Sequence, residues 1–167
     1  TEKQGGSDVR ANTTRAVPGG QGSYILTGHK WFFSVPTSDG FYTLARTESG
    51  ISCFLVARVL ADGSLNRVFL QRLKDKCGNR SNASSEVEFD GTRAMLVGEE
   101  GRGIAEILSH AHLTRLDFAI GSAGLMRQAL TLALNHAGSR NGFGQLMSEL
   151  PMQANVLADL ALESEAA

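Results

Sequence analysis

Apolar and polar positions follow two different rhythms in this chain, and the change comes past its middle. Val9–Val17 partly alternates apolar and polar residues, Pro18-Gly19-Gly20-Gln21-Gly22 interrupts it, and Tyr24-Ile25-Leu26 resumes. That predicts a β-hairpin, because glycine accepts the positive φ that tight connections need. Runs rich in β-formers follow at Trp31–Phe33, Phe41–Ala45, Ile51–Ala57, Arg67–Leu73, Glu86–Phe89 and Ala94–Val97. Ser38-Asp39-Gly40, Glu48-Ser49-Gly50, Asp62-Gly63 and Asp90-Gly91 punctuate them as turns. Short strands at this spacing, with no helical period between them, predict a sandwich or barrel.

From Ile104 the period lengthens. Ile104, Ile107, Leu108 and Ala111 fall at helical spacing, and a longer stretch runs from about Leu113 to Ala137 without proline. Gly138 is the expected stop. Ala119, Gly121, Ala123 and Gly124 lie inside that stretch. Each interior glycine costs about 1 kcal/mol against alanine, so the small residues predict close packing on another helix. A second helix is expected from about Met152 to Ala167, with Pro151 near its first turn. Strands first and helices after them read as an α+β fold, or as two domains.

Composition narrows the class. With 167 residues, 42% apolar and 20% charged, and a net charge of −1, the chain suits one ordinary domain, or a small one plus part of another. Disorder does not fit that balance, and no apolar run approaches the roughly 18–20 residues that span a bilayer. There is no Met at Thr1, no leader pattern, and the last residues lie within a helical pattern, so a segment of a longer protein is expected. Residues 1–97 carry +3 and residues 98–167 carry −4. Neither is a polybasic nucleic-acid module, and the step suggests a boundary. Cys53 and Cys77 belong to no C-x-x-C pair. A disulfide between them is open, but two thiols in a reducing, cytoplasmic setting is the simpler expectation.

Generic catalytic motifs are missing. Gly98-Glu99-Glu100-Gly101-Arg102-Gly103 is not the dinucleotide fingerprint and reads as a flexible lead-in to a helix. His110 and His112, two apart on a helix, point to different faces and make a poor metal pair. Thr1-Glu2-Lys3-Gln4-Gly5-Gly6-Ser7-Asp8 is more informative. Adjacent glycines expose backbone N–H groups to an anion, and hydroxyls add donors; a phosphate-contacting loop and an ordinary polar turn both fit. In Gly28-His29-Lys30-Trp31-Phe32-Phe33-Ser34, three consecutive aromatics must face both sides of a sheet. One side can pack in a core while the other stacks on a planar ligand, although a strand buried on both sides is the commoner case.

Together these two clusters, in this order, resemble the middle domain of the acyl-CoA dehydrogenase family, whose motifs run T-E-P-x-A/G-G-S-D and G-x-K-x-W-I-T/S. Lys76-x-Gly78-x-Arg80 with Glu86-Val87-x-Phe89, Arg115 within a helix, and Arg140-x-x-Phe143-Gly144 match later blocks. Within the family, the adaptive-response, AidB-like branch is the nearest likeness. Lys3-Gln4 replaces Pro-x, Phe32 replaces the usual Trp, and Pro151 stands where many relatives have a glutamine near the neighbouring subunit's cofactor.

The resemblance implies a β middle domain over residues 1–97 and, over 98–167, the first helices of an up-down four-helix bundle. It implies FAD as cofactor, with Thr1, Gly5, Gly6 and Ser7 lining the flavin and pyrophosphate. Phe32, Phe33 and Ser34 would lie along the isoalloxazine. Arg140 and Phe143 would reach the FAD of a neighbouring subunit in a dimer or tetramer, and Arg115 would be substrate-binding. The implied reaction is α,β-dehydrogenation of an acyl-CoA thioester by a cytoplasmic protein with no membrane partner. In most members the base is a Glu beyond the stretch matching Ala167. The alternative position, just before Arg115, holds Thr114, so no catalytic acid or base is assigned. The AidB-like branch also implies a DNA-binding, alkylation-protective alternative with little turnover, through regions outside this segment. The basic stretch Arg67, Arg72, Lys74, Lys76 and Arg80 reads instead as a solvated strand edge.

Overall fold

The structure, a computed structural model, describes residues 1–167 and divides into two compact units, Thr1–His110 and Ala111–Ala167. The first is built from six strands: β1 (Arg15–Gly20), β2 (Ser23–Phe33), β3 (Gly40–Thr47), β4 (Gly50–Ala57), β5 (Val68–Leu73) and β6 (Ser85–Val97). Their order is β2-β1-β3-β4-β6-β5, and β2 also pairs with β6, so five strands close a ring and β5 extends it from β6. Of the two architectures expected, the barrel is the one formed. All pairings are antiparallel except the single parallel contact of Arg15 with Arg46.

Several expected strands merge. Tyr24–Leu26 and Trp31–Phe33 belong to one strand of 11 residues, and Glu86–Phe89 and Ala94–Val97 to one of 13. Asp90-Gly91 is therefore not a turn. Leu26 pairs with Thr92 and Thr27 with Asp90, leaving Gly91 as the extra residue of a bulge. Val9–Ala11, expected to be extended, forms a 3-10 turn capped by Asp8, whose carboxylate accepts from Arg10 N–H. The barrel interior holds Leu26, Phe33, Phe54, Val56, Val87 and Phe89. Phe54 and Val56 on β4, and Val87 and Phe89 on β6, point inward at every second position, as a closed sheet demands.

The long helix α1 (Gly103–Ser139) begins in this first unit. Ile104 and Ile107 pack against Leu44, Ile51 and Cys53. That approach depends on Gly103: a Cβ there would collide with the backbone of Ser52 and Cys53. Gly101 N–H donates to Ser52 Oγ at 2.8 Å. The glycine-rich lead-in is a fitted contact, not the flexible linker its composition suggests.

In the second unit α1 continues to Ser139, one residue past the expected glycine stop. A two-residue hairpin, β7 (Asn141–Gly142) and β8 (Gln145–Leu146), and a 3-10 turn reverse the chain into α2 (Pro151–Ala166), with proline at its first position. Arg127 pairs with Glu165 at 2.5 Å, so α2 runs back along α1 in the up-down sense. Leu130, Ala137 and Leu157 are the buried apolar residues of this pair. Gly121 and Gly124, expected to admit a close helix neighbour, have nothing within 4 Å, because α2 covers a later part of α1. Leu113, Phe118, Leu125 and Leu162 stand exposed. No helix is long and apolar enough to cross a membrane.

Candidate functional site

The opening loop is fastened to β2 by its second residue. Glu2 is buried, and one carboxylate oxygen accepts from Lys30 Nζ at 2.8 Å, Thr14 Oγ1 at 2.6 Å and Thr14 N at 3.1 Å. The other accepts from Thr13 N and Gln4 Nε2, both at 2.6 Å, and from Thr13 Oγ1 at 3.0 Å. Lys30 also donates to Leu44 O at 2.7 Å, so the pair ties loop, β2 and β3 together. Burial pushes the Glu2 carboxyl up, but the Lys30 ammonium and the threonine donors outweigh it and hold it well below the usual carboxylate range. Trp31 N–H donates to Thr1 O at 2.9 Å, and Lys3 N–H to His29 Nε2 at 2.9 Å. Gly28 is required here because a Cβ would lie 2.6 Å from Thr14 Oγ1.

A second bulge arranges the aromatics. Lys30 sits opposite Val87 and Phe33 opposite Ser85, three steps on β2 against two on β6. Lys30 and Phe33 consequently both face inward, while Trp31 and Phe32 both turn outward. Phe33 packs on Phe41 and Phe89 with ring centroids 4.6 and 6.2 Å away. Its ring is a core element that supports the wall from behind. Phe32 is half-exposed and Ser34 exposed.

Two adjoining cavities share Thr1 and Phe32. One, of about 290 Å³, is lined by residues 1–6 with Trp31 and Phe32. The other, of about 250 Å³, lies between Thr1, Asn12, Phe32, Phe33, Thr43 and Ile107. Larger hollows exist against β4 and β6, about 440 Å³, and along α1, about 520 Å³; neither collects the loop or the aromatic pair. A Cβ on Gly6 would meet only the Thr1 methyl, at 3.7 Å, and one on Gly5 makes ordinary contacts at 3.6 and 3.9 Å. Packing within the chain therefore does not demand these two glycines. Their bare backbone, with the exposed Thr1 and Ser7, forms a surface that suits a phosphate-bearing ligand with a planar end.

Thr1, Gly5, Gly6, Phe32 and Phe33 thus meet around the two cavities, with Ser7 and Ser34 adjoining in sequence. Arg115, Arg140 and Phe143 lie in the second unit: Arg115 on α1, Arg140 between α1 and β7, and Phe143 at the β7–β8 turn. Phe143 is 98% exposed and has φ +54°, an unusual state for an aromatic residue. Glu2 and Lys30 carry the site's architecture yet received no role from sequence. Their signal was a lone lysine in an apolar strand, balanced by an acid in the preceding motif. Of the basic stretch, Arg67, Arg72 and Arg80 are exposed on the edge strand β5 and in the segments flanking it, as a solvated edge requires. Lys74 and Lys76 depart from that reading: Lys74 is packed against Trp31 and Glu86, and Lys76 donates to Asn82 O and Ser84 Oγ.

Comparison with known proteins points to one family. Residues 1–92 match the model of the acyl-CoA dehydrogenase middle domain, and residues 101–167 that of the acyl-CoA dehydrogenase C-terminal domain. AidB of Escherichia coli is 54% identical over 99% of this chain and 30% of its own length. The structure of Caenorhabditis elegans ACDH-11 in complex with C11-CoA superposes with a TM-score of 0.90 at 35% identity, over 98% of this chain and 30% of that one. Glutaryl-coenzyme A dehydrogenase in its glutaryl-CoA complex gives 0.85 at 25% identity, over 99% and 43%. The chain thus spans less than half the length of these relatives.

Proposed function

The chain belongs to the acyl-CoA dehydrogenase family, and from that premise we propose that it forms the flavin-holding part of an FAD-dependent oxidoreductase acting on the CH–CH bond beside an acyl-CoA thioester. The observation that carries this reading is the pair of glycines that packing does not require, set across a cavity from the outward-turned Phe32. The chemistry FAD supplies when bound is acceptance of a hydride from the β-carbon. This chain's part is to bind and orient. Thr1, Ser7 and the Gly5-Gly6 backbone would donate to the pyrophosphate and ring, Phe32 and Ser34 would flank the ring, and Phe33 would hold Phe32 from behind. No proton-abstracting carboxylate is assigned among these residues, and the position before Arg115 is Thr114.

Relatives crystallised with C11-CoA and glutaryl-CoA support a thioester substrate, for which Arg115 is the proposed contact in this chain. Arg140 and Phe143 are proposed to reach the cofactor of a second subunit. An aromatic ring left almost wholly in water at a left-handed backbone position is disfavoured twice, which supports a partner surface there. Two free cysteines are in keeping with a reducing, cytoplasmic setting. The test is direct: protein purified from its complete open reading frame should show flavin absorbance, bleached anaerobically by an acyl-CoA. A colourless protein that takes up no added FAD would overturn the proposal.

A further inference from the structure

Lys74 occupies a place that none of the motifs explains. It follows β5, and its backbone N–H is fixed to Ser84 O at 2.8 Å. Its side chain is only 9% exposed. The ammonium lies 3.2 Å from the centroid of the Trp31 ring and 4.7 Å from that of Phe32, the two residues the β2 bulge turns outward together. Glu86 accepts from it at 2.7 Å. The same carboxylate oxygen takes Arg72 Nε at 2.7 Å, and the Arg72 guanidinium reaches the Trp31 ring at 5.7 Å, largely in solvent.

Each approach to the Lys74 ammonium is thus directed at a ring face or a carboxylate. A desolvated cation is drawn to aromatic faces more strongly than an exposed one. Two bulged, outward aromatic side chains would otherwise sample several rotamers. A single buried charge attracting both faces removes that freedom before any ligand arrives, and a preorganised wall lowers the ordering penalty of binding. An apolar side chain of equal length would fill the space without fixing the ring planes.

We propose that Lys74, held by Glu86 against Trp31 and Phe32, is a positioning residue that sets the plane of the aromatic wall and thereby the grip of the loop-side cavity on a planar ligand. The proposal rests on the flavin reading above. Lys74 touches the wall and acts through it.

The experiment compares wild type, Lys74→Met and Lys74→Arg, each purified from the complete open reading frame, stripped of flavin and titrated with FAD. Lys74→Met should weaken FAD binding by about tenfold and alter the visible band shape of the bound flavin. Lys74→Arg should restore both, and the unfolding midpoints of the two variant apoproteins should agree. Trp31 emission should shift in Lys74→Met apoprotein and return in Lys74→Arg. If Lys74→Met does not fold, Lys74→Met/Glu86→Gln removes charge from both partners and carries the same expectations. Wild-type affinity and band shape in the methionine variant would overturn the proposal. So would an arginine variant as weak as the methionine one. Wild type that binds no FAD defeats the flavin reading instead, and the Trp31 emission then still reports on the clamp.

Discussion

Replacing Glu2 with glutamine tests whether the opening loop is held as described. The carboxylate receives six hydrogen bonds from Lys30, Thr13, Thr14 and Gln4, and both it and Lys30 are buried. Glutamine keeps the shape but leaves the Lys30 ammonium with Leu44 O as its remaining full acceptor, and turns an amide N–H₂ toward groups that are themselves donors. Breaking a buried ion pair by removing one partner costs about 3–5 kcal/mol. With a urea dependence of about 2 kcal/mol per molar, the unfolding midpoint should fall by about 2 M. The Glu2→Leu/Lys30→Met double variant should recover part of that loss, because no orphaned charge remains. The sign with pH follows from the depressed Glu2 carboxyl: its stabilisation is present above the unfolded value of 4.5 and is lost as pH falls below it. Wild type should therefore approach Glu2→Gln in stability under acid. Urea curves at pH 7 and pH 3 decide the matter. A Glu2→Gln midpoint within about 0.5 M of wild type at pH 7, equivalent to about 1 kcal/mol, would refute this role of Glu2 in holding the loop.

Gly103→Ala should destabilise the first unit by about 1–3 kcal/mol, read by urea unfolding, since the added methyl must displace the β4 backbone at Ser52 and Cys53. Of the two thiols, exposed Cys77 should react with a thiol reagent at pH 8, while buried Cys53, its thiol pushed up to about 11 by burial and by Glu106, should react only on unfolding. Gly6→Val should abolish FAD uptake while leaving the apoprotein's unfolding midpoint nearly unchanged; a midpoint loss equal to that of Glu2→Gln would show that Gly6 serves the fold instead.

The period change near Ile104 and the hairpin at Gln21-Gly22 were legible because each is a local matter of side-chain spacing and turn chemistry. Merged strands were not. Asp90-Gly91 carries the same composition in a bulge as in a turn, and only the partner strand decides which forms. The three aromatics of β2 show the same limit: alternation assigns Trp31 and Phe33 to one face, whereas the bulge sends Phe33 inward and leaves Trp31 beside Phe32. The loop–strand site was marked by its motifs, but Glu2 and Lys30 are 28 residues apart, and their pairing depends on β2 returning beside the loop. Lys74 was hidden among exposed cations because burial is set by what folds over a residue, not by its neighbours in sequence.

The strand pairing that closes the barrel also orders events during synthesis. β2 ends at Phe33, while its partner β6 begins at Ser85 and ends at Val97. A ribosome releasing this chain from its amino end must extrude every strand before the ring can shut, and contacts of such long sequence separation form slowly. Until then the aromatic pair and the edges of β1 to β4 stand open to solvent and to other nascent chains. Chains from which β6 has not yet emerged should therefore be the ones that chaperones hold and proteases clear, whereas those with Val97 clear of the exit tunnel can close the ring.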